Sequence, residues 1–332
     1  MTVPYVPTAL STPVINPSVG GYGRPALYIS PSMYEFAPTA MDTTALVPQG
    51  SQKDQVRSLY DTIRRASAWA DRYVFGADAS AKGASLAATL SVESAYVPVI
   101  RSTISLICDY KPIIELVGCD VGNDPSNVQS IGPTLSSAVR FGRRTIYVPV
   151  TNQMWYATNV PAQPSNQPVF PSWSGRTYAV WSYVNGYPHS VLASDVAVGD
   201  TTVTLEATNG ASGFYGVYPG TQFTMYDGSL SESFTVKSVS GTTITTTEAF
   251  VNAHTVPPAP DFIPVTTLPA DVTNAVIFFT TALIKTRGDN SLVLDEIHEP
   301  NEMRASAGGV FEDVAFAMEQ LDPYRIRLKA KN

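Results

Sequence analysis

Apolar residues along the chain follow two periods, and the change from one to the other divides it. Over 53–75, Val56, Leu59, Tyr60, Ile63, Ala66, Ala70 and Tyr73 recur at helical spacing on one face. Asp54, Arg57, Asp61, Arg64 and Asp71 line the other, which reads as a solvated face of mixed sign. Over 268–288 the pattern is apolar on two sides. Val272, Ala275, Val276, Phe279 and Leu283 form one stripe, and Ile277, Phe278 and Ile284 form a second. A helix of that kind must be buried on both sides. Pro269 and Asp271 suit its start, and Lys285, Arg287 and Gly288 suit its end. Its apolar run is too short to cross a bilayer. The stripe over 53–75 needs a partner, and the 268–288 helix supplies one. Everything between them is then expected to be β material inserted between packed helices.

In that interval the period falls to two. Strands are expected over 103–107, 113–119 and 144–150, and a hairpin over 178–184 and 187–192 on the Asn185-Gly186 turn signal. From 193 to 254 the pattern is all β, with strands over 201–206, 222–226, 233–239 and 242–246 and turns at Asp227-Gly228 and Ser240-Gly241. Ser30-Pro31 opens a short helix, and an amphipathic helix over 310–321 stops before Pro323. The expected fold class is α+β: a helical bundle core with an inserted antiparallel β-sheet and a small β-barrel or sandwich module. The expected organisation is an extended N-terminal arm (1–28), a core with inserted strands and a long loop (29–192 and 264–322), a small β module (193–263) and a basic C-terminal tail (323–332).

Composition sharpens this picture in one respect. Only 15% of residues are charged, against about 25% in an ordinary soluble domain. From 145 to 194 the single formal charge is Arg176, among many aromatic residues. The proline-dotted crossing over 151–174 is too long for a simple turn. Interface cores lose charge and gain aromatics, so Trp155, Tyr156, Phe170 and Trp173 are the candidate subunit-interface residues. In the tail, basic and apolar residues alternate as in an extended segment. Arg325, Ile326, Arg327, Leu328, Lys329 and Lys331 are the candidate docking residues for a partner. The net charge of −7 argues against a general nucleic-acid binder. Cys108 and Cys119 do not make a disulfide framework, and the proline-broken start does not suggest secretion by a leader.

Candidate chemistry is sparse. No Walker-type loop, dinucleotide fingerprint or nucleophile elbow is present. His189 lies at the expected hairpin, His254 at the end of the β module, and His298 in an acidic run whose spacing fits no ligand set. No catalytic residue, cofactor or metal is expected. The rival to a purely structural role is a carbohydrate-binding tail or baseplate component, with Trp155, Trp173 and Trp181 as exposed stacking platforms.

The order of the pieces resembles the head-to-tail adaptor (connector or head-completion) proteins of long-tailed bacteriophages. The likeness is carried by the helix of residues 59–73, from Leu59-Tyr60-Asp61 to Arg72-Tyr73, and by Lys111-Pro112-Ile113-Ile114-Glu115-Leu116. It continues in the β module of 220–254 and in Leu268-Pro269-Ala270-Asp271-Val272 leading to Thr286-Arg287-Gly288. It covers about residues 28–290. After His254 this chain has Thr255-Val256-Pro257, where that family often places a glycine. The resemblance implies a non-enzymatic, typically dodecameric ring at the head–tail junction of a virion assembled in the host cytoplasm. Its partners would be copies of itself, the portal protein and a tail-stopper or tail-terminator protein. DNA would pass through without sequence-specific binding, and no membrane would be involved.

Overall fold

A computed structural model describes residues 26–38, 41–43, 46, 50–76, 84–100, 103–130, 140–142, 144–149, 176–208, 213–286 and 309–326. The chain divides into two compact units, one built on Thr89–Gly186 and the other on the segments that flank it.

The first unit is a single antiparallel sheet. Its strands are β1 (Thr89–Ile100), β2 (Thr103–Ile107), β3 (Ile113–Asp124), β4 (Asn127–Ser130), β5 (Arg140–Phe141), β6 (Thr145–Pro149) and β7 (Arg176–Asn185), in the order β4-β3-β7-β1-β2-β6-β5. Alternate residues point to opposite faces of a strand. One face gathers Val97, Ile104, Leu106, Ile146, Val148, Ala179, Trp181 and Tyr183 with the thiols of Cys108 and Cys119 into a core. Both cysteines are free and buried. Burial pushes each thiol up to about 12, reinforced by Glu93 at Cys108 and by Asp120 at Cys119. Gly118 allows a close approach here, because a Cβ at that position would lie 3.0 Å from the Ser182 hydroxyl.

The second unit holds the other sheet and the helices. Its strands are β8 (His189–Val191), β9 (Thr202–Thr204), β10 (Gln222–Met225), β11 (Glu232–Ser240), β12 (Thr243–Thr246) and β13 (Pro264–Thr266), ordered β8-β13-β10-β11-β12-β9. Phe223, Met225, Phe234, Val236, Ile244 and Phe250 fill its core. The helices are α1 (Pro31–Glu35), α2 (Gln52–Phe75), α3 (Ala270–Lys285) and α4 (Gly309–Leu321). Ser51 caps α2 in a reciprocal box with Asp54, and Gly76 ends it at φ +86° with its N–H on the Arg72 carbonyl. The doubly apolar α3 is buried on both sides. Trp69 of α2 stacks on Phe279 at 3.9 Å between centroids, and Phe316 of α4 meets Phe278 at 4.5 Å.

The expected helical bundle core is therefore corrected. The protein is mostly β, built on two curled antiparallel sheets, and its helices form a layer within one unit. Helical stripes dominate the sequence pattern because each is long, whereas the sheets are assembled from strands separated by many residues. β1 is the largest omission. Its sequence includes Pro98, which argues against an interior strand, and Glu93, which occupies the same face as the core residue Val97. The Asn185-Gly186 hairpin is also absent. β7 takes β1 on one edge and β3 on the other, while β8 pairs with β13 in the second sheet. With both edges of β7 satisfied by long-range partners, the local turn signal is overridden.

Candidate functional site

The face of the first sheet opposite its core carries several exposed large apolar residues. Val92, Tyr96 and Ile100 of β1, Ile107 of β2 and Tyr147 of β6 all alternate with core residues and are exposed. Tyr96 lies edge-on to Tyr178 of β7, with ring centroids 5.2 Å apart. By register, Ser182 and the buried Val180 continue this face on β7, and Asp120 on β3 stands opposite Val180. By register Glu115 and Asp120 of β3, Arg176 of β7 and Arg140 of β5 stand on the same face. Contiguous apolar surface of this kind marks an interaction site.

The sequence-derived site residues are only partly visible. Trp155, Tyr156, Phe170 and Trp173 lie outside the described residues, as do Arg327, Leu328, Lys329 and Lys331. Arg325 holds its guanidinium 5.1 Å over the Tyr73 ring. Ile326 is buried and donates its backbone N–H to the Val74 carbonyl at 2.9 Å. These two residues are thus built onto the end of α2, with Tyr73 donating to Asp322 at 2.6 Å beside them. Trp181, which the carbohydrate-binding alternative needs exposed, is 2% exposed within the sheet core.

Two buried polar clusters were not legible as such. Asp71, expected as a solvated charge, is 2% exposed. It accepts from the Tyr28 hydroxyl and from the Leu86 N–H at 2.8 Å. Burial raises its carboxyl to about 7, against the opposing effect of these hydrogen bonds. Tyr28 also presents its ring to the edge of His189, whose Nε2 bonds the Leu27 carbonyl at 2.9 Å. Burial lowers His189 to about 4, so its ring is neutral.

His254 is the centre of the second cluster. Its ring is fully buried, with Nδ1 2.9 Å from Asp227 and Nε2 2.8 Å from Glu232. Each ring nitrogen is thus within hydrogen-bond reach of a carboxylate. For Glu232, burial acts upward, but the N–H of Val251, the His254 ring and the N–H of Asn252 outweigh it and leave the carboxyl low. The arrangement closes the 251–254 loop onto β11 and is structural. Replacing His254 with Ala takes one partner from each of two carboxylates, and a loss of about 1–3 kcal/mol is expected in urea unfolding. Unchanged stability would show that water takes over both bonds.

Among the described residues no group of histidine, cysteine and acidic side chains is arranged to hold a metal ion, and no helix is long and apolar enough to cross a membrane. Comparison with known protein families, curated proteins and solved structures finds no match to this chain.

Proposed function

We propose that the chain is a structural subunit of a ring in the neck of a long-tailed phage particle. There it joins the portal to the tail or tail-stopper protein and borders the channel through which DNA passes. The observation that carries this reading is the exposed apolar face of the first sheet, on a chain in which only 15% of residues are charged. A surface of that composition gains free energy by being covered with protein. α2 packs on α3 through Trp69 and Phe279, two helices that the inserted strands separate in the chain. A net charge of −7 lets DNA slide, since phosphate contacts with basic side chains are what hold nucleic acid.

The test is the mass of the purified chain, alone and mixed with portal, by mass photometry. A closed multimer that adds to the portal is expected. A single chain at all concentrations, indifferent to portal, removes the ring. The tail offers a second test. Because Ile326 is built into the fold, deleting 327–332 is expected to leave the protein folded and soluble but to reduce its joining to DNA-filled heads. Infectious particles at normal yield from the truncated chain would end the docking role of Arg327, Leu328, Lys329 and Lys331.

A further inference from the structure

One end of the second sheet is apolar and acidic at once. The segment 196–200 runs antiparallel to 250–254, through the Val196–His254 bridge and the hydrogen bonds of Gly199 and Asp200 to Phe250. Val198 therefore stands next to Val251, and the two are 66% and 73% exposed. Leu230, also exposed, accepts at its carbonyl from the Asn252 side chain at 3.1 Å. The exposed Phe36 ring comes against Gly228, where a Cβ would lie 2.9 Å from it. Carboxylates are interleaved with these apolar groups. Glu232 accepts from the N–H groups of Val251 and Asn252, Asp200 from that of Ala197 and Asp195 from that of Val256. Glu248 is exposed two residues before Phe250. The segments 193–200, 226–234 and 246–256 contain no Lys or Arg, and their one histidine, His254, is fully buried. Residues 187–268 hold seven acidic side chains against a single lysine, Lys237. It lies five residues beyond Glu232 on β11, roughly 16 Å away.

We propose that this end of the second sheet receives the C-terminal segment, residues 327–332, of a neighbouring copy of the chain. Charge complementarity selects the occupant. Aliphatic groups set among carboxylates call for a segment that is both basic and aliphatic, and after Asp322 the chain has four basic residues and no acid. In an extended segment Arg327, Lys329 and Lys331 point to one side, toward the carboxylates, and Leu328 and Ala330 to the other. The basic run around Arg140 and Arg144 is committed to the first sheet, where Arg144 donates to the carbonyls of Cys108 and Asp109. Six extended residues reach about 20 Å, enough to run the length of 250–254. The root of the segment is already held, with Arg325 over the Tyr73 ring and Ile326 bonded to Val74. A fixed root lowers the entropy that docking must remove. A tail on a sheet end joins two different surfaces, the head-to-tail contact from which closed rings are built. The proposal rests on the ring reading and names the surfaces through which neighbours in the ring meet.

The experiment is sedimentation velocity at about 10 µM, with circular dichroism as the check on folding. Two variants each lose one half of the contact. The chain lacking 327–332 keeps the sheet end, and the full-length E248K/V251D chain keeps the tail. Each alone is expected to sediment as a single chain. Mixed one to one, they are expected to form a two-chain particle, an outcome that misfolding does not produce. That particle is expected to dissociate in about 0.5 M salt, where screening shortens the reach of the charges. A mixture in which both folded variants stay single overturns the proposal, and is what docking of each tail on its own chain predicts. A wild-type-sized multimer of either variant alone overturns it too. The two readings fail separately. A portal-binding ring that survives E248K/V251D removes this contact and keeps the ring. A two-chain particle from the mixture, with a wild type that ignores portal, keeps the contact and removes the ring from the portal.

Discussion

Phe279→Ala is expected to lower stability by about 3–5 kcal/mol, enough to consume much of what a typical domain has. Phe279 is 2% exposed and lies parallel to Trp69 at 3.9 Å, with 6° between the rings. Truncation therefore removes buried aromatic area and leaves a void beside an indole that cannot collapse into it. Stacked aromatic pairs add about 0.5–1.5 kcal/mol beyond area, so Trp69→Ala should cost a comparable amount. The two losses should not add, because each variant removes the same contact. Urea unfolding of both single variants and the double variant measures this. A loss below about 1 kcal/mol for Phe279→Ala would mean that the α2–α3 contact is not a core.

The second large effect is a dependence on pH. The carboxyl of Asp71 is raised from an ordinary 3.8 to about 7, so the folded protein holds its proton where the unfolded chain has released it. Its contribution is fully present below about pH 4 and is lost as pH rises to about 7. At about 1.4 kcal/mol per unit, the loss is on the order of 4 kcal/mol. His189 runs the other way. Its value is lowered from 6.5 to about 4, so its contribution is present above pH 6.5 and is lost as pH falls toward 4. Both groups contact Tyr28, and between about pH 4 and 6.5 their slopes oppose each other. Asp71→Asn, compared with wild type across pH 4–8, should lack the decline. His189→Gln should lack the opposing rise and show the decline more steeply. Parallel stability curves for wild type and Asp71→Asn would exclude titration of a buried Asp71.

What the sequence made legible follows from the range over which each signal acts. α3 was clear because every residue that defines it lies within one helix, and a doubly apolar circumference leaves burial on two sides as the outcome. Strands such as Thr103–Ile107 were equally local. β1 was not, since Glu93 is tolerated on the core side only because Tyr183 and the N–H of Asp109, 90 and 16 residues away, bond its carboxylate. Asp71 was misplaced for the same reason: its partners Tyr28 and Leu86 come from outside its helix. The outer sheet face, the candidate site, became visible only with the register, because Val92, Tyr96 and Asp120 read as unrelated residues until β7 lies between them.

The stretch Ala26–Ser30 is wholly shielded from solvent, held by Ser67 at the Tyr28 N–H and by His189 at the Leu27 carbonyl. Its place in the chain sets an order of events during synthesis. These residues leave the ribosome before their partners: the His189 that fixes Leu27 is 162 positions later, and the Thr281 that bonds Tyr34 is 247 later. The sheet of Thr89–Gly186 is contiguous and can close as soon as it emerges. The flanking unit cannot, because Ala26–Ser30 waits for residues made much later. Until those later residues are made, the apolar side chains of Ala26–Ile29 are without their seat, and their exposure in the nascent chain favours association over folding.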